Sequence, residues 1–420
     1  MAQKEKIKKA LFDSNPWWRK KLEINYKDRE IYQKLQKYLE AKQIIALTGL
    51  RRVGKTTIML KIVKEKIDSG FASNNIVYFS FDNFRDLDIS ELLEVYLEEY
   101  KADIETSRYL FLFDEIQKIN NWEEQVKRLY DLHTNCKIII SGSESLFIRK
   151  KSKESLAGRM FEFKIDSLSF KEFLSFKGLN LKPTALYERE LQNEFEDFIF
   201  SGGFPELVDI KDKEFIKNYI RETIVEKILF RDIPITFPVG DVSILESIYK
   251  IIAGNPGQII EINKLASEVG LSRRVTSLYI SYLENSFLIK KLFNFSRNQR
   301  KTAKKLKKYY SSIPALGFIY GNEDIKSKIF ENVVVLQTKA DFFWRDVYKN
   351  EVDIILNNEK KIIPIEVKYG EIKDFNGLLK FMASFNVQES FIISRNEEKV
   401  VKIDGRKILV IPAWKWFLKS

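Results

Sequence analysis

A short stretch near the N-terminal end carries glycines, a lysine and a threonine at a spacing that could bind phosphate. The apolar run Ile44–Leu47 has the length of a buried strand, and a loop bounded by Gly49 and Gly54 follows it. Glycines let successive backbone N–H groups turn toward one anion, and a helix that begins there points its positive dipole end at the same place. Gly-x-x-x-x-Gly-Lys-Thr in this context therefore predicts a phosphate-binding loop, with Lys55 at the β- and γ-phosphates and the Thr56 hydroxyl on Mg²⁺.

A second signature is the apolar run Tyr109–Phe113, which ends in Asp114 and Glu115. Alone, two acids after a strand also suit the start of a helix. In a chain that already has a phosphate-binding loop, they predict that Asp114 holds the Mg²⁺ shell and that Glu115 polarises the attacking water. The predicted nucleotide-binding set is Gly49, Arg51, Arg52, Val53, Gly54, Lys55, Thr56, Thr57 and Asp114, with Lys55 and Glu115 also catalytic.

Three further residues are candidates for catalysis. Ser141 and Ser143 follow the apolar run 137–140, so either could sense the γ-phosphate from a strand that lies between the first two in space; ordinary turn chemistry is an equal alternative. Arg159 precedes a fifth strand pattern and could be an arginine finger that acts on a neighbour's nucleotide, although a surface arginine explains it nearly as well. Arg51 and Arg52 are alternatives for phosphate or subunit contacts.

A second group of chemically active residues lies near the C-terminal end. Asp353 lies in one predicted strand, and Glu366 and Lys368 lie in the strand that returns beside it. Two acids on adjacent strands can share a divalent metal ion, and a neighbouring lysine can orient the attacking water. With Glu331 in a predicted helix, this is the Asp…Glu-x-Lys arrangement of restriction-type nucleases. An inactive module kept for binding or assembly is an equal alternative.

Between these two groups, helical patterns over residues 243–252, 262–270 and 273–285 are separated by a short glycine-containing turn and predict a helix-turn-helix, interpreted as winged. Arg273 and Arg274 stand at the start of the predicted recognition helix, whose apolar positions, Leu278 among them, are expected in the core.

A basic segment follows, with no acid between Asn285 and Tyr310. Its basic residues are Lys290, Lys291, Arg297, Arg300, Lys301, Lys304, Lys305, Lys307 and Lys308. Next to a helix-turn-helix, this charge is typical of contacts with DNA phosphates, which give affinity without reading sequence. A solvated basic wing or a subunit contact is the alternative.

Composition limits the remaining possibilities. The 420 residues suggest two to four domains, and a net charge of +12 makes nucleic acid a plausible partner, although a lysine-rich surface also explains it. One cysteine and one histidine exclude an internal disulfide and a Cys/His zinc site. No apolar run has the length of a membrane span and the first residues lack a signal peptide's apolar region, so no membrane association and a cytoplasmic location are expected.

Several of these motifs together resemble a prokaryotic, mainly archaeal, AAA-type P-loop ATPase family with a winged-helix segment and a C-terminal restriction-endonuclease-like domain. The resemblance is carried by Gly49–Thr56, Phe113–Lys118, Ser141–Ser143, Leu156–Arg159, Ser201–Glu206 and Phe230–Ile233. It implies an α/β fold with a P-loop AAA-type core and a parallel sheet, a helical lid, a winged helix and a C-terminal α/β domain. The expected boundaries are 1–170 for the ATPase core with its N-terminal helical segment, 171–240 for the lid, 241–310 for the winged helix with its basic wing, and 311–420 for the endonuclease-like domain.

The resemblance also implies ATP as the nucleotide, with Mg²⁺ as its metal. The expected function is ATP hydrolysis coupled to DNA that is held by the winged helix and basic wing. A nucleotide-dependent signalling switch with a protein partner and an ATP-dependent metal nuclease are the alternatives. A trans-acting Arg159 would require a homo-oligomer.

Overall fold

The computed structural model describes residues 2–100, 104–143, 155–298, 306–358 and 361–419. The chain divides into two compact units, Met1–Asp166 and Ser167–Ser420. The three segments predicted after residue 170 therefore fall in one unit. Across the described ranges, every helix is too short or too polar to cross a lipid bilayer.

The first unit is an α/β structure around a parallel five-stranded sheet in the order β2-β3-β4-β1-β5. Its described helices are α1 (Ala2–Ser14), α2 (Glu30–Gln36), α3 (Lys55–Asp68), α4 (Ile89–Tyr100) and α5 (Trp122–Leu132). Its described strands are β1 (Ile44–Thr48), β2 (Ile76–Ser80), β3 (Tyr109–Asp114), β4 (Cys136–Gly142) and β5 (Met160–Lys164). The predicted α/β class and parallel sheet are confirmed.

Strand β4 pairs in parallel with β1 on one side and β3 on the other, which confirms the predicted position of this strand between the two signatures. Every residue of β1 and β3 is buried, as expected for a parallel sheet that is covered on both faces. Because the carboxyl ends of parallel strands meet at one edge, the loops after β1, β3 and β4 converge there.

The N-terminal segment covers the edge strand β2. After α1, the buried Asn15 side chain donates to the carbonyl of Tyr78 at 2.9 Å and accepts from its N–H at 2.7 Å. The indole N–H groups of Trp17 and Trp18 donate to the Ile76 carbonyl at 3.1 and 2.9 Å. These bonds satisfy polar groups that an open sheet edge would leave exposed, so they fix the strand that carries Tyr78.

The second unit contains a mixed nine-stranded sheet in the order β13-β14-β12-β11-β10-β9-β7-β8-β6. Its described strands are β6 (Gln258–Ile259), β7 (Ile289–Asn294), β8 (Lys307–Ser311), β9 (Phe342–Arg345), β10 (Glu351–Asn358), β11 (Lys361–Lys368), β12 (Glu389–Ser394), β13 (Lys399–Ile403) and β14 (Arg406–Pro412).

The described helices of this unit are α6 (Phe170–Phe176), α7 (Glu188–Ser201), α8 (Lys213–Asn218), α9 (Ile233–Thr236), α10 (Val242–Gly254), α11 (Ile262–Glu268), α12 (Arg273–Asn285), α13 (Gly317–Tyr320), α14 (Lys326–Gln337), α15 (Asn376–Phe385) and α16 (Ala413–Lys419). Two π-helical turns, Tyr219–Val225 and Ile228–Asp232, lie between α8 and α9. The mostly helical pattern expected before residue 240 is thus present.

The described residues between 242 and 311 form, in order, a helix, a strand, two helices and two strands. Strand β8 pairs antiparallel with both β6 and β7. Strand β7 also pairs in parallel with β9, where Phe293 lies opposite Phe342. The segments predicted as a winged helix and as an endonuclease-like domain therefore share one sheet. No local sequence pattern predicts this shared sheet, because it depends on pairing between strands that are far apart in the chain.

The C-terminal elements match their sequence patterns. Strands β10 and β11 form the predicted antiparallel hairpin, with Ile354 opposite Ile365, and β11 pairs in parallel with β12. Phe330 on α14 belongs to the same buried cluster as Ile354 and Ile365. This packing places the helix that carries Glu331 against the hairpin that carries Asp353.

Candidate nucleotide-binding site

The loop between β1 and α3 is shaped by two glycines with positive φ. Gly49 has a φ of +141°, and a Cβ at this position would lie 2.2 Å from the Ile165 carbonyl oxygen. Gly54 has a φ of +97° and is the N-cap of α3. A side chain would be strained at both positions and blocked outright at the first. The glycine spacing thus follows from local geometry as well as from phosphate chemistry.

The Lys55 ammonium lies back against its own loop. It donates to the carbonyl oxygens of Gly49 and Leu50 at 3.1 and 2.9 Å, and its side chain is buried. Phosphate oxygens are stronger acceptors for an ammonium than neutral carbonyls are. Lys55 is therefore at the centre of the loop and can exchange these carbonyls for a phosphate.

Arg29 supports the loop and was not found by sequence reasoning. It is buried, and its guanidinium donates to the carbonyls of Val53 and Asp166, both at 2.8 Å. The Val53 side chain is itself fully buried, so this residue fixes the loop through packing and through its carbonyl. In the sequence, Arg29 is one charged residue in a charged segment, which gave no signal of this role.

Asp114 collects the hydroxyl donors of three neighbouring elements. Its Oδ2 accepts from Thr56 Oγ1 and from the Tyr78 hydroxyl, both at 2.7 Å, and its Oδ1 accepts from Ser141 Oγ. The predicted residues Thr56, Asp114 and Ser141 are therefore brought together. Hydroxyl and carboxylate oxygens suit Mg²⁺, which takes one or two protein ligands and leaves the rest to phosphate and water.

Tyr78 is a second residue that sequence reasoning missed. Its hydroxyl is buried beside the Asp114 carboxylate, and both effects raise the pKa of Tyr78 far above its ordinary value. The phenol therefore stays protonated and remains a donor. A tyrosine in the middle of an apolar strand looks like a core residue, so the pattern alone gave no indication of it.

Glu115 follows β3 directly and has a φ of 55°, in the left-handed region that side chains rarely adopt. Its Oε2 accepts from Gln117 Nε2 at 2.6 Å, and Ser143 Oγ lies 3.4 Å away. Gln117 Nε2 also donates to Ser143 Oγ at 3.2 Å. Strained backbone at such a position persists where surrounding contacts fix it. Gln117 was missed as a functional residue, although it lies only two positions beyond the predicted Glu115.

The predicted arginines occupy different surroundings. Arg159 is partly exposed and pairs with Asp131 of α5 at 2.9 Å, so its action on a neighbouring chain stays a prediction. Arg51 and Arg52 lie in the phosphate-binding loop, where Arg52 has a φ of 65°. Thr57 is exposed in the first turn of α3. Their nucleotide contacts likewise stay predictions.

The residues predicted to contact DNA from a helix are exposed. Arg273 and Arg274 begin α12, whose N-cap is Ser272, with its hydroxyl accepting from the Val275 N–H at 3.3 Å. Leu278 was expected in the core, but it is 43% exposed. The prediction was wrong for this residue because the helix turns that position toward solvent, one turn beyond Arg274.

The described residues of the basic segment are less available for DNA than the composition predicted. Lys290 pairs with Asp341 at 3.1 Å and Lys291 with Glu284 at 2.7 Å. Arg297 is exposed and donates to the Phe385 carbonyl at 3.1 Å, and Lys307 is partly buried. The remaining predicted contacts, Arg300, Lys301, Lys304 and Lys305, lie outside the described residues.

Among the described residues predicted to contact DNA, Lys308 is the one that the structure places deepest in the protein interior. Its side chain is only 5% exposed, and its ammonium lies 3.3 Å from Glu331 Oε1, 2.6 Å from Glu351 Oε1 and 3.4 Å from Asp353 Oδ1. The prediction that Lys308 contacts DNA was wrong, because neighbouring carboxylates already bind its charge in the protein interior.

The predicted metal residues of the C-terminal unit surround this lysine. Asp353 Oδ2 accepts from the Val367 N–H at 2.9 Å, and Glu366 Oε1 accepts from Lys368 Nζ at 2.9 Å. Burial and the neighbouring Asp353 charge raise the pKa of Glu366, and Glu366 Oε2 is buried without a hydrogen-bond partner among the described residues.

These residues do not fit a divalent metal site. Ammonium groups hold one oxygen of Asp353 and one of Glu366, and a backbone N–H holds the second oxygen of Asp353. Within the part of the chain that the structure describes, no group of three or more acidic, histidine or cysteine side chains could hold a metal ion. The prediction of a nuclease metal on Asp353 and Glu366 therefore lacks support, because the cations already present are lysines.

Comparison with known protein families agrees with the geometry of the first unit. Residues 41–174 match the family described as an AAA domain, a P-loop ATPase-like class that covers the whole site around Asp114. Residues 192–316 and 326–416 each match a domain of unknown function, DUF8612 and DUF4143 respectively. Residues 41–174 are thus similar to an AAA domain, and the two matched segments that follow are similar to domains of unknown function.

Similar whole chains occur in archaea and bacteria. An uncharacterized protein of Methanocaldococcus jannaschii is 29% identical over 94% of this chain and 93% of its own length. An uncharacterized protein of Haemophilus influenzae is 27% identical over 92% of this chain and 98% of its own.

Solved structures show weaker likeness. Cdc6p from Pyrobaculum aerophilum has 12% identity and a TM-score of 0.31, with 71% of this chain and 95% of that chain covered. AMPPCP-bound DnaA from Aquifex aeolicus has 14% identity and a TM-score of 0.28, with 63% and 89% covered. At these TM-scores neither likeness carries functional information.

The Tyr78 hydroxyl provides a test of the Asp114 network. Tyr78→Phe removes one donor from a buried carboxylate and should lower the free energy of unfolding by about 1.5–3 kcal/mol, the range for hydrogen bonds to charged groups. The matched control is Tyr100→Phe, because the Tyr100 ring packs on Trp18 at 4.5 Å in the same unit. It should change stability by less than about 0.5 kcal/mol. Chemical denaturation measures both, and equal stability of the two variants would contradict the network.

Proposed function

We propose that the first unit binds ATP with Mg²⁺ and hydrolyses it. The observation that carries this proposal is the 2.7 Å hydrogen bond between Thr56 Oγ1 and Asp114 Oδ2 at the end of a phosphate-binding loop. Two side chains predicted to bind Mg²⁺, from separate signatures, meet at the place where the loop and the start of α3 would bind an anion. The match of residues 41–174 to an AAA domain supports the same function.

The proposed roles follow from the contacts around the loop. Lys55 leaves the carbonyls of Gly49 and Leu50 to bind the β- and γ-phosphates. Thr56 and Asp114 would hold Mg²⁺, which supplies charge neutralisation for the phosphates when it is bound. Loop N–H groups and the α3 dipole orient the remaining phosphate oxygens.

Glu115 is the proposed base that orients the attacking water and accepts its proton. Gln117 donates to Glu115 Oε2 at 2.6 Å and also contacts Ser143, so the two polar residues hold one carboxylate oxygen. We propose that the other oxygen, Oε1, faces the attacking water. Ser141 donates to Asp114, and Ser143 donates to Glu115. Each serine could therefore connect the presence of the γ-phosphate to one of these two acids.

The catalytic assignment is tested by Glu115→Gln, which keeps the shape of the side chain but removes the base. This variant should bind ATP with unchanged affinity and lose about 100-fold or more in turnover, the usual contribution of a general base. Lys55→Ala should instead lose ATP affinity, because phosphate loses its ammonium partner.

The matched control is Glu124→Gln, an exposed glutamate in the first turn of α5, which should hydrolyse ATP at the wild-type rate. Steady-state phosphate release and fluorescent-nucleotide binding measure the two quantities separately. Hydrolysis by Glu115→Gln at the wild-type rate would remove Glu115 from its proposed role.

We further propose that the second unit associates with DNA through residues 242–311, acting as a winged helix. The observation that favours this function is the exposure of Arg273 and Arg274 at the start of α12, where a recognition helix would meet the groove. The order of the described elements, a helix, a strand, two helices and two strands, supports it. The ion pairs of Lys290 and Lys291 shift the proposed DNA surface from the basic segment toward this helix.

The salt dependence of DNA binding tests this surface. Replacing Arg273 and Arg274 together by alanine should weaken duplex binding and flatten the slope of log affinity against log salt by up to about 1.8, since each phosphate contact contributes about 0.9. The control Lys290→Ala/Lys291→Ala removes the same charge from residues that already pair with Asp341 and Glu284. Fluorescence anisotropy at several salt concentrations measures both slopes. Equal slopes in the two variants would contradict the arginine surface and favour a protein partner.

A further inference from the structure

Lys308 carries a buried charge that has no role in the ATP hydrolysis proposed for the first unit. It lies on β8, and its ammonium contacts Glu331 of α14 together with Glu351 and Asp353 of β10. Burying an ammonium is costly unless several acceptors surround it. The three carboxylates meet this requirement, so Lys308 ties the helix and the hairpin of the unit to strand β8.

The direct contacts of the cluster nearly balance in charge. Its four carboxylates are Glu331, Glu351, Asp353 and Glu366, and among the described residues the ion pairs with them come from Lys308, Arg345 and Lys368. One negative charge remains when all are ionised.

We propose that the Lys308 ammonium is the permanent cation of this acidic cluster and takes the place that a divalent metal ion would otherwise occupy. A second cation next to a buried ammonium is strongly repelled, and a metal ion on Asp353 Oδ1 would have to displace the Lys308 ammonium. The C-terminal unit therefore has no metal-dependent nuclease chemistry at Asp353 and Glu366, and its cluster serves to hold the sheet and helix together.

Removing the Lys308 charge makes the cluster more negative. With Lys308 replaced by methionine, the four carboxylates face two cations, and the net charge of −2 is that which one divalent ion neutralises. Hard carboxylate oxygens are the ligands that Mg²⁺ and Mn²⁺ prefer. The proposal therefore predicts that Lys308→Met creates a metal site that the wild-type protein lacks.

The experiment is a Mn²⁺ titration of the full-length, nucleotide-free protein, with free Mn²⁺ followed by electron paramagnetic resonance. Wild type should show no Mn²⁺ binding that depends on Asp353, so wild type and Asp353→Asn should give the same curve. Lys308→Met should bind about one additional equivalent of Mn²⁺, and Lys308→Met/Asp353→Asn should lose it. Lys307→Met is the matched control, since neighbouring residues of a strand face opposite sides, and should behave as wild type.

The wild-type titration decides the question independently of any variant. Mn²⁺ binding by wild type that is lost in Asp353→Asn would overturn the proposal. A folded Lys308→Met that binds no additional Mn²⁺ would also overturn it. If Lys308→Met does not fold, Lys308→Met/Glu351→Gln removes one charge of each sign, and this variant should fold and bind Mn²⁺ through the remaining acids. Absence of that binding in the folded double variant would contradict the proposal as well.

Discussion

The Asp114 carboxylate is the group on which the first unit's site depends. It ends β3 and accepts hydroxyl donors from α3, β2 and β4, so four elements of the unit meet at one side chain. A buried carboxylate must have its acceptors filled, and this requirement fixes the relative positions of those elements. The same donors hold its oxygens beside Thr56, where they suit a metal ion. The hydrogen bonds that fix the neighbouring elements around Asp114 therefore also hold its carboxylate in the position proposed for metal binding.

Two of the buried lysines, Lys55 and Lys308, show how the surroundings of an ammonium determine its use. Lys55 is bound by neutral carbonyl oxygens of a loop, which phosphate can replace. Lys308 is bound by three carboxylates from two other elements, and no neutral ligand competes with that charge. The first lysine is therefore available to a ligand, whereas the second belongs to the architecture of its unit.

Local patterns predicted the parts of the site that are local in sequence. Gly49 and Gly54 bracket a loop whose conformation only glycine allows, and strands that end in polar residues predicted that Asp114 and Ser141 would converge. Tyr78 was missed because it acts from a strand whose other residues are core. Lys308 was misassigned because a buried lysine and an exposed lysine look the same within a basic segment. Both errors concern contacts between residues far apart in the chain, and the shared nine-stranded sheet was missed for the same reason.

Thr56 and Asp114 are the residues proposed to hold Mg²⁺ in an ATP site. Calorimetric titration of ATP into wild type and Asp114→Asn, each with Mg²⁺ and with a chelator in its place, tests this role most directly. We expect Mg²⁺ to tighten ATP binding to wild type, and Asp114→Asn to lose most of this effect while it still binds the metal-free nucleotide. An equal effect of Mg²⁺ on the two proteins would contradict a metal site at Asp114.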